Sequence, residues 1–467
     1  MMARAGSRGE MTTPDAYDTV PATPRDADVQ DTDVLVIGGG PAGTTAAALL
    51  ARRGWRVTLL EKDTHPRFHI GESLLPMNMP ILERLGVLEQ VRAIGVLKRG
   101  ADFPIDGDPE RTHVFRFSRA LDPKCDYAFQ VNRDAFDRIL FANARAAGAD
   151  AHEGVRAERI ECDAQGRPHT VHARDGDGRA RSWRTRYVVD ASGRDTLLGQ
   201  RLKLKRRNPR HQSAALFSHF RGVAHRSGED RGNITIDRFE HGWYWLIPLP
   251  DGITSVGAVC SPDYLKQRRG DNAGFLDRTL DARASVRARM AGAERVAPVH
   301  ATGNYAYRCT RMAGPGWIMA GDAYAFIDPI FSSGVFIAMD SAERAADVVD
   351  GALRAPRREA ALQRAMARRL DRGLRHFTWF IHRFTTPVMQ RLFREPRNAL
   401  RIEQAVISML AGDVFDHRAV RLRLHLFRLI YLVTALTMAP QALAGWKRRR
   451  RDAAAAFSGD TLQEGNP

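Results

Sequence analysis

Asp33-Val-Leu-Val-Ile-Gly38-Gly-Gly40-Pro41-Ala42-Gly43, followed downstream by Arg56-Val-Thr-Leu-Leu-Glu61, is the stretch whose reading decides the fold. Val34 to Ile37 is a short apolar run ending in glycine, the pattern of a parallel strand buried on both faces. Ala42 to Arg53 then sets small and apolar residues at helical spacing, and Gly54 stops it. Arg56 to Glu61 is a second buried run. Strand, helix and strand in this order predict a right-handed βαβ crossover. Its glycines fit G-x-G-x-x-G. Gly38 permits the tight turn, Gly40 lets the backbone approach a pyrophosphate, and Gly43 lets helix and strand pack closely. Pro41 and Ala42 open the helix, whose free N–H groups face the phosphates. Glu61 stands about 20 residues on, where an acid accepts ribose hydroxyls, with Lys62 beside it in the same candidate site. Glycines alone would be a weak signal; strand, helix and acid together make a dinucleotide site.

The rest of the chain is read around that unit. Asn132 to Ala147 is predicted as an amphipathic helix, and Tyr187-Val-Val-Asp190 as a strand ending in a glycine turn at Gly193. Ala214 to Val259, rich in alternating and aromatic residues, predicts a mostly antiparallel sheet. Trp317 to Ala320 returns to the parallel style, and Ser333 to Val349 reads as a helix. Strand C-termini are where the ligand lies in such sheets. Asp322 there would hold the ribityl hydroxyls of FAD, whereas Asp190 reads equally as a turn residue. The expectation is an α/β, two-domain α+β chain. A Rossmann-like FAD-binding domain (31–110, 130–200, 300–355) is interrupted by a sheet-rich substrate domain (111–129, 201–299). A disordered tail precedes it (1–30), and a helical basic region follows (356–467).

The chain has 467 residues, of which 44% are hydrophobic and 8% aromatic, ordinary for a globular enzyme. Its formal charge of +17 is not ordinary. Such a field attracts anionic lipid, acidic proteins or nucleic acid. No nucleic-acid-binding signature accompanies it, so no nucleic acid partner is expected. Cys125, Cys162, Cys260 and Cys309 are far apart and form no C-x-x-C pair. They suit a reducing cytoplasm and suggest no metal site. The first 30 residues are polar, without the apolar core of a signal peptide. Leu424 to Trp446 is mostly apolar but carries Arg428 and Pro440, and Lys447-Arg-Arg-Arg-Arg451 follows. That argues against a membrane span. It leaves a helix lying on the inner face of an anionic bilayer, one docking a carrier protein, or a lid over the substrate cavity.

Three further motifs carry a family resemblance: His69-Ile-Gly-Glu72-Ser73-Leu-Leu-Pro76, Trp243-Tyr-Trp245-Leu-Ile247-Pro248, and Phe326-Ile-Asp-Pro329-Ile-Phe-Ser332-Ser333-Gly334. With Arg133 and Asp137 in Gln130-Val-Asn-Arg-Asp-Ala-Phe-Asp, the span from about Asp33 to Arg397 resembles the flavin-dependent halogenases. These sit within the flavoprotein monooxygenases of p-hydroxybenzoate hydroxylase fold. The tryptophan motif fits the family's W-x-W-x-I-P at every fixed position; the other two are shared more widely with related reductases and hydroxylases.

The resemblance implies that a separate flavin reductase supplies FADH2, which reacts with O2 to a C4a-hydroperoxide. Halide attacks the distal oxygen, and hypohalous acid then travels to a lysine that presents electrophilic halogen to an electron-rich substrate. Here that lysine would be Lys98, in Val-Leu-Lys98-Arg99-Gly. An ammonium can hydrogen-bond hypohalous acid, and burial makes the haloamine route accessible by lowering the amine's pKa. Trp243 and Trp245 lie on one face of a strand and read as core. The resemblance adds that they keep organic substrate off the flavin. Glu72, Ser73, Arg133, Asp322, Pro329 and Gly334 are carried over as cofactor contacts, and Ser333 with Gly334 as an anion site for halide. The segment Ile330 to Gly334 lacks the glutamate of halogenases acting on free tryptophan. That favours phenols, pyrroles, polyene-type metabolites or a carrier-bound aromatic. A hydroxylase or reductase on the same scaffold is the alternative.

Overall fold

The computed structural model describes residues 29–108, 110–394, 398–440 and 443, with the side chains of 209–212 and 304–305 left aside. The βαβ unit forms as read: β1 (Val29–Ile37), α1 (Pro41–Arg52) and β2 (Val57–Leu60). β1 starts inside the segment expected to be a disordered tail, because Val29 to Thr32 pair in register with Ser182 to Thr185. The rest of that tail, and Lys447 to Arg451, lie outside the described residues.

The first sheet has eight strands, ordered Ala313–Gly314, Trp317–Met319, Ala180–Asp190, β1, β2 and Asp150–His152. Val155–Cys162 and Pro168–Asp175 continue it beside the start of Ala180–Asp190. The central pairings are parallel, with Val36 opposite both Leu59 and Val189, and Val189 opposite Ile318. Val34 to Ile37 and Val57 to Leu60 are buried at every residue, so both faces are covered, and on one of them α1 packs against helices Arg133–Ala146 and Gly334–Arg354. This is why the strand sequences are uniformly apolar.

The second sheet has nine strands, ordered Ala325–Phe326, His300–Cys309, Lys205–Arg221, Ile253–Cys260, Gly242–Pro248, Ile234–Phe239, Gly100–Pro104 and Thr112–Arg116, with Glu294–Arg295 on Lys205–Arg221. Gly100–Pro104 and His300–Cys309, assigned from sequence to the flavin unit, pair here instead. Gly100–Pro104 is buried at every residue, so the alternation that marks a half-exposed strand is missing from its sequence. Ala128–Gln130 pairs with Val96–Lys98 in a separate ribbon, and Gln130 also bridges to Ser73.

One face of this sheet, with Phe217, Ile236, Trp243, Trp245 and Ile247, merges into the core of the flavin unit. The other face, with Leu216, Tyr244, Leu246 and Val256, packs under helices Asn272–Asp281 and Ala284–Met290. The C-terminal region is helical, as predicted: Glu359–Ile381, Pro387–Arg394, Ile402–Leu410 and Arg418–Thr437. No helix of the described residues is long and apolar enough to cross a membrane.

Candidate active site

The glycine turn has the geometry a pyrophosphate needs. Gly38 has φ +105°, a left-handed conformation that favours glycine. A Cβ on Gly43 would stand 1.8 Å from the Gly38 carbonyl oxygen, so only glycine lets α1 sit this close. No side chain caps α1, whose N-terminal N–H groups at Ala42 and Gly43 therefore keep their capacity for an anion. Glu61 is 4% exposed at the end of β2. Its carboxylate accepts from the Gly39 N–H at 2.6 Å and the Asp63 N–H at 2.9 Å. Lys62 turns outward into an ion pair with Asp195 at 2.7 Å.

A run of paired charges leads from this cradle along the cleft. Arg67 lies 3.3 Å from Glu61 and 3.8 Å from Asp137. Arg133 donates twice to Asp137, both at 2.9 Å, and to the Ile70 carbonyl at 2.6 Å. Asp322 accepts no hydrogen bond at its carboxylate among the described residues. Burial pushes that carboxyl up to about 6, with Arg194 and Arg133 opposing the rise. A half-buried acid that meets no donor of the protein, beside a glycine cradle, fits the hydroxyls of a dinucleotide. Asp190 accepts from Ser192 and Leu198 and so braces its own turn.

Lys98 is 1% exposed. Its Nζ donates to Ser73 Oγ at 2.9 Å and to the Leu74 carbonyl at 3.0 Å, and lies 5.4 Å from the Phe117 ring centroid. Lys98 is thereby tied to the His69–Pro76 motif, in which Glu72, beside Ser73, meets His219 at 2.8 Å. That contact holds the His219 pKa up, the hydrogen bond outweighing desolvation. Burial without a compensating carboxylate lowers the Lys98 pKa to about 7.

Trp243 and Trp245 lie side by side, 6% and 9% exposed, with ring centroids 5.7 Å apart. Trp245 lies over Gly257, where a Cβ would meet its ring at 2.4 Å, and donates from Nε1 to Ser255 Oγ at 3.1 Å. Phe217 packs on Trp245 at 5.7 Å, and Phe68 stacks on His300 at 4.5 Å and on Phe217 at 6.1 Å. The two tryptophans are core residues that also terminate a row of aromatic rings.

After the turn Pro329–Phe331, Ser332 takes a left-handed conformation (φ +55°), and Gly334 begins a 21-residue helix. Ser333 Oγ is buried with no hydrogen-bond partner, and a Cβ on Gly334 would meet nothing within 4 Å. A donor without an acceptor at a long helix's N-terminus is suited to an anion. On the other side of this segment lies a groove of about 670 Å³ lined by Tyr307, Phe326, Ile327 and Trp379 and by the arginines Arg206, Arg207, Arg308, Arg375 and Arg383.

Comparison with known proteins agrees with this geometry. The model of an FAD binding domain matches residues 31–379. A tryptophan 2-halogenase of Chondromyces crocatus is 36% identical over 320 residues, 68% of this chain and 60% of that protein. A flavin-dependent halogenase of Armillaria mellea is 34% identical, covering 69% of this chain and 68% of the other. A 1H-pyrrole-2-carbonyl peptidyl-carrier protein chlorinase of Pseudomonas fluorescens is 33% identical, covering 68% and 76%. This chain belongs to the flavin-dependent halogenases.

Among solved structures, this halogenase is similar to the myxobacterial chondrochloren halogenase CndH, with TM-score 0.71, 30% identity and coverage of 85% of this chain and 96% of the other. It is also similar to the flavin-dependent brominase Bmp2, with TM-score 0.76, 25% identity and coverage of 86% and 99%. The chain spans 60% of the Chondromyces relative's length. Sequence reasoning missed Arg67, Arg194 and His219 in this halogenase. Arg194 donates to Thr302 Oγ1 at 2.8 Å and to the Gly303 carbonyl, and covers the Phe326 ring. Its partners are more than 100 residues away, so no local pattern marks it. Arg67 stands six residues after Glu61 in a segment that also carries Lys62, Asp63 and His65, so nothing local singles it out.

Proposed function

We propose that this halogenase delivers electrophilic chlorine or bromine to an electron-rich aromatic or polyene-type metabolite, free or held on a carrier protein, with Lys98 making the last transfer. The observation that carries the reading is a fully buried lysine, bonded to Ser73 and to a backbone carbonyl, with no carboxylate partner among the described residues. Bound FAD, reduced by a separate reductase, would supply with dioxygen the means to oxidise halide.

Gly38, Gly40, Pro41, Ala42 and Gly43 would hold the pyrophosphate, Glu61 the ribose, and Arg133, Asp322, Pro329 and Gly334 the remainder, with Glu72 and Ser73 alongside. Lys62, spent on Asp195, has the weakest claim. Ser333 Oγ and the Gly334 N–H would hold the halide. Trp243 and Trp245 wall the cleft, so that a small oxidant passes and an aromatic substrate does not. As an ammonium, Lys98 hydrogen-bonds hypohalous acid. As an amine it takes the halogen, forming an N–halogen bond and releasing water. A pKa near 7 keeps both forms populated at neutral pH.

The Chondromyces relative's name includes tryptophan, but this chain lacks a glutamate between Ile330 and Gly334. The arginine-lined groove suits a substrate bearing negative charge, and the pyrrole relative's name supports a carrier-bound one. The test is product mass spectrometry with reduced FAD, oxygen and each halide in turn. A product carrying the halogen isotope pattern is expected, and equal turnover in halide-free buffer overturns the proposal.

A second proposal rests on a separate observation. Helix Arg418–Thr437 leaves Leu422, Leu429, Leu432, Val433 and Leu436 exposed, the last at 77%. No acidic residue occurs between Asp416 and Asp452. An apolar face with a cationic flank suits peripheral contact with an anionic bilayer, at the inner face of the cell membrane.

A further inference from the structure

A second polar cavity, of about 160 Å³, lies behind the nine-stranded sheet. It is on the face turned away from Trp243 and Trp245, since Thr235, Asp237 and Leu246 line it while Ile236 and Trp245 point into the main core. His225, Arg226 and Arg289 close it. Three buried polar atoms without hydrogen-bond partners belong to its lining: Asp102 Oδ2, His225 Nδ1 and Arg226 Nε. Asp102 is completely buried. Its Oδ1 accepts from Asn233 at 2.9 Å, while Oδ2 stands 3.4 Å from Arg226 Nε without the alignment of a hydrogen bond.

The charges here do not balance. Asp237 is already neutralised, accepting twice from Arg283 at 2.8 and 2.9 Å and once from Ser285. Asp230 is paired with Arg116 at 2.8 Å. Asp102 alone therefore faces Arg226 and Arg289, and beside them stands His225, whose pKa burial and Arg289 lower and whose Nδ1 has no partner. The Arg226 Nε is itself buried and without an acceptor, and calls for one; Arg289, which donates to the Ala224 carbonyl and to Thr235 Oγ1, adds a second positive charge. Water would supply a hydrogen bond but no charge. Donors arriving from two separate segments, His225–Arg226 and Arg289, favour a ligand with several oxygens.

We propose that this cavity binds a small oxyanion, of phosphate or carboxylate type, between Arg226, Arg289 and His225, and that its occupancy is felt at Lys98. The connection is short. Asn233 binds Asp102 through its amide nitrogen, and through its oxygen accepts from the Arg99 N–H at 3.2 Å, next in chain to Lys98. An anion drawing Arg226 away from Asp102 would reset that amide and the strand end that carries the lysine. This second clause rests on the transfer role proposed for Lys98; the first does not.

Calorimetric titration of the full chain with inorganic phosphate, and separately with acetate, at fixed ionic strength and chloride tests the site. One saturable anion per chain is expected, weakened roughly tenfold or more in Arg226→Gln and in Arg289→Gln, as loss of a charge-assisted hydrogen bond requires. FAD affinity should not change. The stronger of the two probes identifies the chemistry. No saturable binding of either probe, or equal binding in both variants, overturns the site. Arg226 is half-exposed, so Arg226→Gln keeps the test decisive if Arg289→Gln fails to fold.

For the coupling, halogenated product per reduced FAD consumed is measured with and without the bound probe. A change in wild type that disappears in Arg226→Gln is expected, and no change removes the coupling while leaving the site. If no halogenation occurs at all, the Lys98 reading fails, but the titration, which needs no turnover, still decides the site.

Discussion

Lys98 shows what burial does to a single charge. Its folded pKa, about 7, lies below the value of roughly 10.4 expected in an unfolded chain. Below pH 7 the side chain is charged in both states, and the folded state bears the full penalty of a buried cation. Between pH 7 and about 10 the unfolded chain holds a proton that the folded chain has released, so stability rises with pH in that window. Lys98→Met should therefore be more stable than wild type at pH 6, with the advantage shrinking by pH 9. Urea midpoints at the two pH values check this; a Met variant weaker at pH 6 would contradict the buried-charge account. The same substitution should cut halogenated product by roughly 10²–10⁴-fold, the range for losing a positioned proton-transfer group. FAD binding should be unaffected. The wild-type rate should bend near pH 7, and that bend should be absent from the residual activity of the variant.

At the scale of elements, what was legible in the sequence was local. The glycine turn, α1, β2 and the strand Gly242–Pro248 each carry their pattern within a few residues, and each forms where expected. Gly100–Pro104 was not legible. It pairs with the nearby Thr112–Arg116, but the strand that joins both to the rest of the nine-stranded sheet, Ile234–Phe239, is over 130 residues away, and burial on both faces erases its alternation. Of the candidate site residues, Ser73 and Lys98 are brought into direct contact, whereas Lys62, chosen by adjacency to Glu61, turns away into an ion pair with Asp195. Arg133 and Asp137 were legible through the flavin-contact motif of the resemblance, but not as a buried i, i+4 ion pair. That burial makes a prediction. Asp137→Ala leaves Arg133 buried beside Arg67 without its partner, and should cost about 3–5 kcal/mol. Chemical denaturation measures it, and a loss below about 1 kcal/mol would mean that the guanidinium finds water.

For the molecule as a whole, the proposed bilayer contact combines the +17 charge with the exposed apolar helix. Vesicles containing anionic lipid should co-sediment with the protein, neutral vesicles should not, and salt should release it. Truncating helix Arg418–Thr437 is a poor test, because Val420, Leu424, Phe427 and Tyr431 are part of the core. The double substitution Leu432→Asp and Leu436→Asp should abolish co-sedimentation and leave stability within about 0.5 kcal/mol. Unchanged vesicle binding would exclude this helix as the contact. The parallel sheet has its own consequence for how the polypeptide can be made. Strand Ala180–Asp190 is flanked by β1 on one side and, at its C-terminal end, by Trp317–Met319 on the other. A ribosome must therefore release more than 300 residues before the nucleotide-binding layer closes, and until then an unprotected apolar edge waits for a partner. Any fragment expressed to stop near residue 200 would keep its complete glycine turn and still precipitate.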